Sequence, residues 1–442
     1  MFNRRSFIKV AGLTSLISLN VFPGPHSSDQ IKMDISKDFF RAVQGSTDNT
    51  STIISILTHK ENEINFEIKN SRNQSLNDFE VRKIDLNLSE YIIYQIYSFN
   101  LNLNTTYHLK IFDNKKNILK SYSYKALDLA NKDSRIAILS CSNHRDAAPM
   151  QPMFKALFSE KPDALFFIGD LVYANSALDT ALGRPATPAA AYQVFVKTLT
   201  DFPIYSQNQL TPIFSSFDDH DFGYNNSDST HPNLQIMQKI CRTFFPIDSR
   251  TSIQKGPGLS FHLEAFGFNS LFLDTRSFKN TNQGAFLGRE QFEWAEKIIL
   301  DSTSPLFLLG TQQFWNYRSL AESYQKDSAA EFNSFLKLIQ KAQCPVVFAS
   351  GDVHYSQVQT IHKDILNYKT FEITSSAFFS SSAGSYGQRS AEDGQLEYYG
   401  KPNFLMLDKI DTTGNTFNFS VKCVSEKMNP QFKYDVKVNR SV

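Results

Sequence analysis

The sequence predicts an α/β core preceded by a small all-β sandwich. In residues 30–130, short runs of alternating apolar and polar residues are separated by turn residues, which is typical of antiparallel sheets. From Ser134 onward, near-continuous apolar runs alternate with amphipathic stretches, as expected of strands that are covered by helices. A third pattern lies in this second region, where clusters of polar residues follow the apolar runs.

Composition excludes several classes of function. The chain has 442 residues, enough for one large domain and a smaller one. Its 45 basic and 44 acidic residues give a net charge of +1, so no general attraction to nucleic acid or to an anionic membrane is expected. No basic cluster suggests a nucleic-acid-binding patch. Recognition of a charged substrate therefore requires a local site.

The N-terminus has the organisation of an export signal. Arg4 and Arg5 precede an apolar stretch at 10–22, and Pro23 ends that stretch. This order resembles a twin-arginine signal, and the stretch is shorter than the roughly 20 residues of a transmembrane helix. Residues 1–27 are therefore predicted to engage the twin-arginine export machinery, with delivery to the periplasm, the cell surface or the medium. No clear cleavage site follows, so an uncleaved signal that tethers the chain to the membrane stays an alternative.

Four alternating runs predict the strands of the N-terminal sandwich, residues 30–130. They lie at 51–57, 64–68, 91–96 and 107–111. Turn residues separate them at the spacing that is typical of an antiparallel sandwich. No catalytic constellation stands out in this segment, and residues 127–133 are interpreted as a linker to the larger domain, residues 134–442.

The larger domain is predicted from its apolar runs and helical patterns. The runs lie at 136–139, 165–168, 213–217, 271–273, 306–309 and 346–350. Amphipathic stretches at 291–300 and 329–342 predict helices that cover the sheet. After Lys401 the alternation returns, and the run at 417–421 is interpreted as the end of a sheet.

Polar clusters follow most of these runs. In open α/β sheets, functional groups gather beyond the carboxyl ends of the strands. Each cluster alone is more often a turn or a solvated loop, but their joint occurrence predicts one shared site. The clusters are Ser140-Cys141-Ser142-Asn143-His144, Gly169-Asp170-Leu171-Val172-Tyr173, Asp218-Asp219-His220-Asp221 with Asn225-Asn226, Asp274-Thr275-Arg276, and Gly351-Asp352-Val353-His354.

The residue types in these clusters predict metal-assisted phosphoryl chemistry. Carboxylates and imidazoles from separate strands can hold two metal ions, which together clamp a phosphoryl group. The fork of Arg276 matches phosphate oxygens, and His220 can protonate a leaving group. Asp221, beside His220, is the candidate that orients the imidazole ring. The hard oxygen ligands suit calcium and ferric iron, whereas the soft thiolate of Cys141 alone would indicate zinc. The identity of the metals therefore stays open at this point.

In their order, these motifs resemble those of the alkaline phosphatase D (PhoD) family, a branch of the calcineurin-like metallophosphoesterases. The resemblance covers residues 134–442 and includes secondary motifs at 287–291 and 309–313. It implies a calcineurin-like core behind an N-terminal β-sandwich and a twin-arginine signal. It also implies an exported phosphoesterase that hydrolyses phosphate mono- or diesters, either small molecules or polymers.

The same resemblance implies cofactors and roles for individual residues. Ferric iron and calcium are the implied metals, and zinc or manganese are the alternatives. Cys141 and Tyr173 would bind iron, and Asp170 would bridge the metals. His220 would be the proton donor, and Arg276 would hold phosphate. The remaining implied metal ligands are Asp219, Asn225, Asp352 and His354, with Asn226 as the alternative to Asn225.

Two other functions compete with this interpretation. A phosphodiesterase or phospholipase of the same superfamily would share the metal site and differ only in its substrate pocket. A periplasmic binding protein with a relic site belongs to another class and would bind its ligand through the β-sandwich. A relic site should have lost ligands, whereas every motif here retains its titratable residue.

Overall fold

The computed structural model describes residues 39–146, 148–176, 179, 182–318 and 321–440. These described residues belong to one compact unit. The predicted signal, residues 1–27, lies outside the described part of the chain. Among the described residues, every helix is too short or too polar to cross a lipid bilayer.

Two antiparallel sheets are built from the first seven strands. One has the order β1-β2-β5-β4 and the other the order β3-β6-β7. Their buried side chains, among them Ile54, Ile96 and Leu109, form a common apolar core. The bounds are β1 (Arg41–Thr47), β2 (Thr52–His59), β3 (Asn65–Asn70), β4 (Phe79–Ile84), β5 (Tyr91–Ser98), β6 (Tyr107–Phe112) and β7 (Ile118–Tyr124). The four runs predicted as strands are thus strands, whereas the boundary of a separate domain at 130 stays a prediction.

The next strands enter a six-stranded and an eight-stranded sheet. The six-stranded sheet has the order β10-β9-β8-β19-β20-β21, and the eight-stranded sheet has the order β11-β12-β13-β14-β15-β17-β16-β18. The first of these strands are β8 (Ile136–Leu139), β9 (Ala164–Ile168), β10 (Ile213–Ser216), β11 (Gln254–Lys255), β12 (Phe261–Ala265), β13 (Phe268–Phe272) and β14 (Leu306–Leu309). The others are β15 (Val346–Ser350), β16 (Ser356–Ile361), β17 (Thr370–Thr374), β18 (Gln395–Tyr399), β19 (Phe404–Asp411), β20 (Thr416–Val424) and β21 (Pro430–Asn439). The strand expected at 417–421 is β20, and β21 forms the edge beside it.

Helices accompany the two large sheets, so the chain has the mixed α/β composition that the sequence predicts. They are α1 (Gln151–Glu160), α2 (Pro188–Asp201), α3 (Leu234–Phe244), α4 (Gly288–Asp301), α5 (Tyr324–Asp327), α6 (Ala329–Lys341) and α7 (Lys363–Leu366). In α6 the buried residues Phe332, Phe335, Leu338 and Ile339 recur at the spacing of one helix face. The amphipathic stretches predicted at 291–300 and 329–342 are therefore confirmed as α4 and α6.

The large sheets pack face to face through apolar side chains. Phe166 of β9 and Phe272 of β13 belong to opposite sheets, and their ring centroids are 5.0 Å apart. Within the sheets, β8, β9 and β10 run parallel, as do β13, β14, β15 and β17. The carboxyl ends of these parallel strands carry the polar clusters that the sequence singles out.

Candidate metal centre

The turn after β9 brings two strand ends into close contact. Gly169 has φ +96, and a Cβ there would lie 2.8 Å from Cβ of Asp218 and 2.8 Å from Cβ of Thr311. A larger residue would therefore push β9 away from its neighbours. Because the turn is this tight, the side chain of the next residue, Asp170, lies beside those that follow β10.

Four residues at the strand ends of this site have a strained backbone. Cys141, Asp170, Asp352 and His354 have φ values of 54, 55, 70 and 56, all in the left-handed region. Such conformations cost free energy in residues other than glycine, and they persist where the surrounding structure holds them. All four are predicted metal ligands, so strained backbone is present at the expected site, as it also is at several turns elsewhere in the described chain.

Four carboxylates converge in this site. One oxygen from each of Asp170, Asp218, Asp219 and Asp352 lies within 4.8 Å of the others, and Asp170 and Asp219 form a second such group with His220. Burial and the charge of Asp219 raise the pKa of Asp170 well above its usual value. Burial and the charge of Asp218 do the same to the pKa of Asp352. A cation among them would remove this repulsion.

His220 lies between an aromatic ring and an amide. Its ring stacks on Tyr173, with centroids 4.3 Å apart and planes at 22°. Its Nδ1 is 2.8 Å from Oδ1 of Asn175. A carbonyl oxygen can only accept, so this contact places a proton on Nδ1. Burial lowers the pKa of His220, although the charges of Asp219 and Asp218 act in the opposite direction.

The side chain of Asp221 lies elsewhere than the sequence suggests. Its carboxylate accepts hydrogen bonds from the backbone N–H groups of Asp170, Val172 and Asp218, each at 2.8 Å. It therefore joins the loops after β9 and β10. The expectation that Asp221 orients His220 is corrected accordingly, because Asn175 is the residue whose side chain contacts the ring.

Arg276 is enclosed by carboxylates. It has 0% exposure, its Nε donates to Oδ1 of Asp218, and its Nη2 is 3.5 Å from Oδ1 of Asp219. On the other side, Nη1 is 3.0 Å from Oε2 of Glu322. Glu322 in turn pairs with the buried Lys279, which also contacts Asp327. The structure thus shows Arg276 as the centre of an ion-pair network, and its predicted contact with phosphate stays a prediction.

Two other predicted ligands, Cys141 and Tyr173, are also buried. Cys141 is fully buried, and its Sγ accepts a hydrogen bond from Oγ of Ser376 at 3.1 Å. Burial and the charges of Asp170 and Asp352 raise the pKa of this thiol well above its usual value. The hydroxyl of Tyr173 is 3.2 Å from Nε2 of His354.

The asparagines of the acidic loop lie at the surface. Both Asn225 and Asn226 are exposed and line a cavity of about 380 Å³, together with Asn175, Arg184 and Tyr224. The backbone N–H of Asn226 donates to Oδ2 of Asp219 at 2.6 Å. This hydrogen bond ties the asparagine loop to the carboxylate cluster. Which of the two asparagine side chains binds a metal stays a prediction.

Comparison with known protein families decides the class of this chain. The model of the PhoD-like phosphatases matches residues 136–414, which is more than half of the chain. The chain belongs to the PhoD-like phosphatase family. A search of the curated proteins found no match. The resemblance seen in the motifs is confirmed, and the family places the chain among the hydrolases of phosphoric esters.

PhoD-like phosphatases are metal-dependent, and the donor atoms of this member fit a metal. Oδ2 of Asp218 and Oδ1 of Asp219 are buried, and neither accepts a hydrogen bond from any described residue, although Oδ1 of Asp219 lies 3.5 Å from Nη2 of Arg276. Buried carboxylate oxygens normally have a hydrogen-bond partner or a cation. A positive ion between the two would supply the missing partner.

Sequence reasoning missed three residues of this PhoD-like site. Asp218 begins the acidic run at 218–221, but the sequence predicts roles only for the three residues that follow it. Asn175 follows the motif at 169–173 by two positions, and its polarity beside an apolar segment was an available signal. Glu322 carries no signal in the sequence, because the contact with Arg276 joins distant parts of the chain.

Proposed function

We propose that this PhoD-like phosphatase is an exported, metal-dependent phosphoesterase with a calcineurin-like core, and that it hydrolyses phosphate mono- or diesters. The observation that carries the proposal is the group of four carboxylates, Asp170, Asp218, Asp219 and Asp352, within 4.8 Å of one another. Like charges at this density are stable in a folded protein when cations neutralise them. The twin-arginine pattern at the N-terminus supports export.

Ferric iron and calcium are the proposed metals. Cys141 and Tyr173 would hold iron as thiolate and phenolate, and Asp170 would bridge to calcium. Burial and the charges of Asp170 and Cys141 raise the pKa of Tyr173, which indicates that these groups are close together. Carboxylate and amide oxygens suit calcium and ferric iron, in agreement with Asp352 and Asn225 as further ligands. His354 and Asp219 would complete the metal shells.

The protein residues would bind the ester and move one proton. Bound metal ions would activate a water molecule for attack on phosphorus and would neutralise the charge of the phosphate. The ester oxygen leaves with the electron pair of the broken P–O bond and takes a proton from His220. Asn175 holds Nδ1 of that ring, so Nε2 is the nitrogen that faces the leaving group. Arg276 would act on the phosphate indirectly, by holding Asp218 and Asp219.

The test begins with the full chain expressed in cells and recovered from the exported fraction. We expect bound iron and calcium, and hydrolysis of p-nitrophenyl phosphate or bis(p-nitrophenyl) phosphate that chelation abolishes. Asp170→Asn and Asp352→Asn should each lose metal and lower kcat at least about 100-fold, because a ligand of the reacting centre is lost. The matched control is Asp364→Asn, an exposed carboxylate in α7.

Three results would contradict parts of this proposal. Retention of the full chain inside the cell would contradict export. Zinc or manganese in place of iron would contradict the proposed metals but not the proposed hydrolase activity. Folded protein that contains no metal and hydrolyses neither ester would contradict the proposed enzymatic activity. A preference for the diester would identify the phosphodiesterase alternative.

A further inference from the structure

An exposed arginine, Arg145, lies close enough to the candidate metal centre for its charge to act on His220. Arg145 is in the loop after β8, four residues beyond Cys141, and it is exposed. Its Nη1 donates to the backbone oxygen of Asn175 at 2.5 Å, and its Nε is 3.4 Å from Oδ1 of Asn143. A guanidinium has five N–H donors, so these two contacts leave donors for a ligand.

Arg145 is close to the proposed proton donor. It contacts the backbone of Asn175, while the side chain of the same Asn175 contacts Nδ1 of His220 at 2.8 Å. His220 in turn offers a possible metal-ligand atom that lies within 4.8 Å of those of Asp170 and Asp219. A single residue therefore separates Arg145 from the ring that faces the leaving group.

The other arginine of the site has a different environment. Arg276 has 0% exposure, and its three nitrogens all face carboxylates, those of Asp218, Asp219 and Glu322. A substrate phosphate would have to compete with these carboxylates and reach a side chain without accessible surface. Arg145 meets neither obstacle, because its side chain is exposed and donates to two neutral oxygens, those of Asn143 and Asn175.

We propose that Arg145, and not Arg276, binds the non-bridging oxygens of the substrate phosphate. This inference rests on the proposed function and adds to it the residue that recognises the charge of the ester. Hydrogen bonds between guanidinium and phosphate are charge-assisted and stronger than those between neutral groups. A phosphomonoester carries more negative charge than a diester, so the loss of Arg145 weakens monoester binding more.

The test compares Arg145→Gln and Arg145→Lys with the wild-type enzyme, each loaded with metal. For Arg145→Gln we expect KM for p-nitrophenyl phosphate and the inhibition constant of inorganic phosphate to rise together, by about tenfold. KM for the diester should rise less, and metal content should be unchanged. Arg145→Lys should recover part of the loss, since it keeps the charge but not the fork.

A control separates local binding from a general effect of charge. Arg289 in α4 has a 90% exposed side chain and pairs only with Glu293 on the same helix among the described ion pairs. Arg289→Gln removes the same charge and should leave both constants unchanged. Equal shifts in this variant would overturn the assignment of Arg145.

Two further outcomes would overturn the inference. In the first, Arg145→Gln leaves KM and the phosphate inhibition constant unchanged. In the second, it lowers kcat alone, which would mean that Arg145 only positions Asn175 and His220. A wild-type protein that holds metal but hydrolyses no ester would instead contradict the proposed function, so the two failures are distinguishable.

Discussion

Neighbours in sequence and neighbours in space differ around His220. His220 and Asp221 lie in a short 3-10 turn, in which consecutive side chains point in different directions. Asp221 therefore bonds the backbone of adjacent loops, and the more distant Asn175 bonds the imidazole. The proton on Nδ1 and the orientation of the ring depend on this amide.

Replacement of Asn175 should impair catalysis without loss of metal. In Asn175→Ala the Nδ1–H loses its acceptor, so we expect kcat to fall by about tenfold or more, the usual effect of removing a group that orients a reacting histidine. Asn175→Asp restores the acceptor and adds a negative charge. That charge favours the imidazolium, so the acidic limb of the pH–kcat profile should be unchanged and the basic limb should move to higher pH.

Steady-state kinetics over a range of pH, with metal content measured on the same samples, checks this prediction. Wild-type kcat and pH profile in both variants would show that the amide has no part in the proton transfer. Metal loss in Asn175→Ala would assign the residue to the metal shell instead.

The site residues show which contacts a sequence can reveal. Cys141, Asp170, Asp352 and His354 were predicted because each follows a buried strand, and the structure places them at adjacent strand ends. The environment of Arg276 was not predictable in this way. It depends on Glu322, which lies in a loop without a motif and reaches the site only through tertiary folding.

Strands were predictable where burial leaves a recognisable run of apolar residues in the sequence. The runs at 136–139, 306–309 and 346–350 are fully buried strands, because a parallel strand covered on both faces is apolar throughout. Strand order was not predictable. The pairing of β19 with β8 joins strands that are more than 250 residues apart in sequence, and no local pattern encodes such a contact. The two-residue strand β11 is too short to show a period.

Strand β17 contains a buried acid whose protonation depends on pH. Glu372 has 0% exposure and accepts hydrogen bonds from the backbone N–H of Phe314 at 2.9 Å and the hydroxyl of Tyr317 at 2.8 Å. Burial raises its pKa from 4.5 to about 6. The folded state therefore binds a proton more tightly than the unfolded state, and this contribution to stability is complete below pH 4.5 and is lost as pH rises through about 6.

Glu372→Gln should change how stability depends on pH. Glutamine keeps the shape and has no charge to desolvate, so the free energy of unfolding of the variant relative to wild type should increase between pH 4 and pH 7. A pKa difference of about 1.5 predicts an increase of about 2 kcal/mol. Urea denaturation of both proteins across this range measures it. A constant difference between the two proteins would contradict a shifted pKa.

The N-terminal sheets are tied to the rest of the compact unit by short contacts. The backbone N–H of Ser46 donates to the carbonyl of Pro246 at 3.0 Å, and Oγ of Ser55 donates to the carbonyl of Thr243 at 2.9 Å. At Gly45 the approach is so close that a Cβ would lie 2.1 Å from the oxygen of Pro246. These contacts indicate that the sheets and the metal-bearing part stabilise each other.

We therefore expect the sheets and the metal-bearing part to unfold together. Of the two tryptophans, Trp315 lies in the core of the large sheets and Trp294 packs against that core, so their fluorescence reports that part alone. Gly45→Ala in β1 should lower the melting temperature seen by tryptophan fluorescence, because overpacking costs about 1–3 kcal/mol. Val81→Ala, at an exposed position of β4, should leave it unchanged. If Gly45→Ala shifts the transition seen by far-UV circular dichroism but not that of the tryptophans, the sheets unfold independently and constitute the separate domain that the sequence predicts.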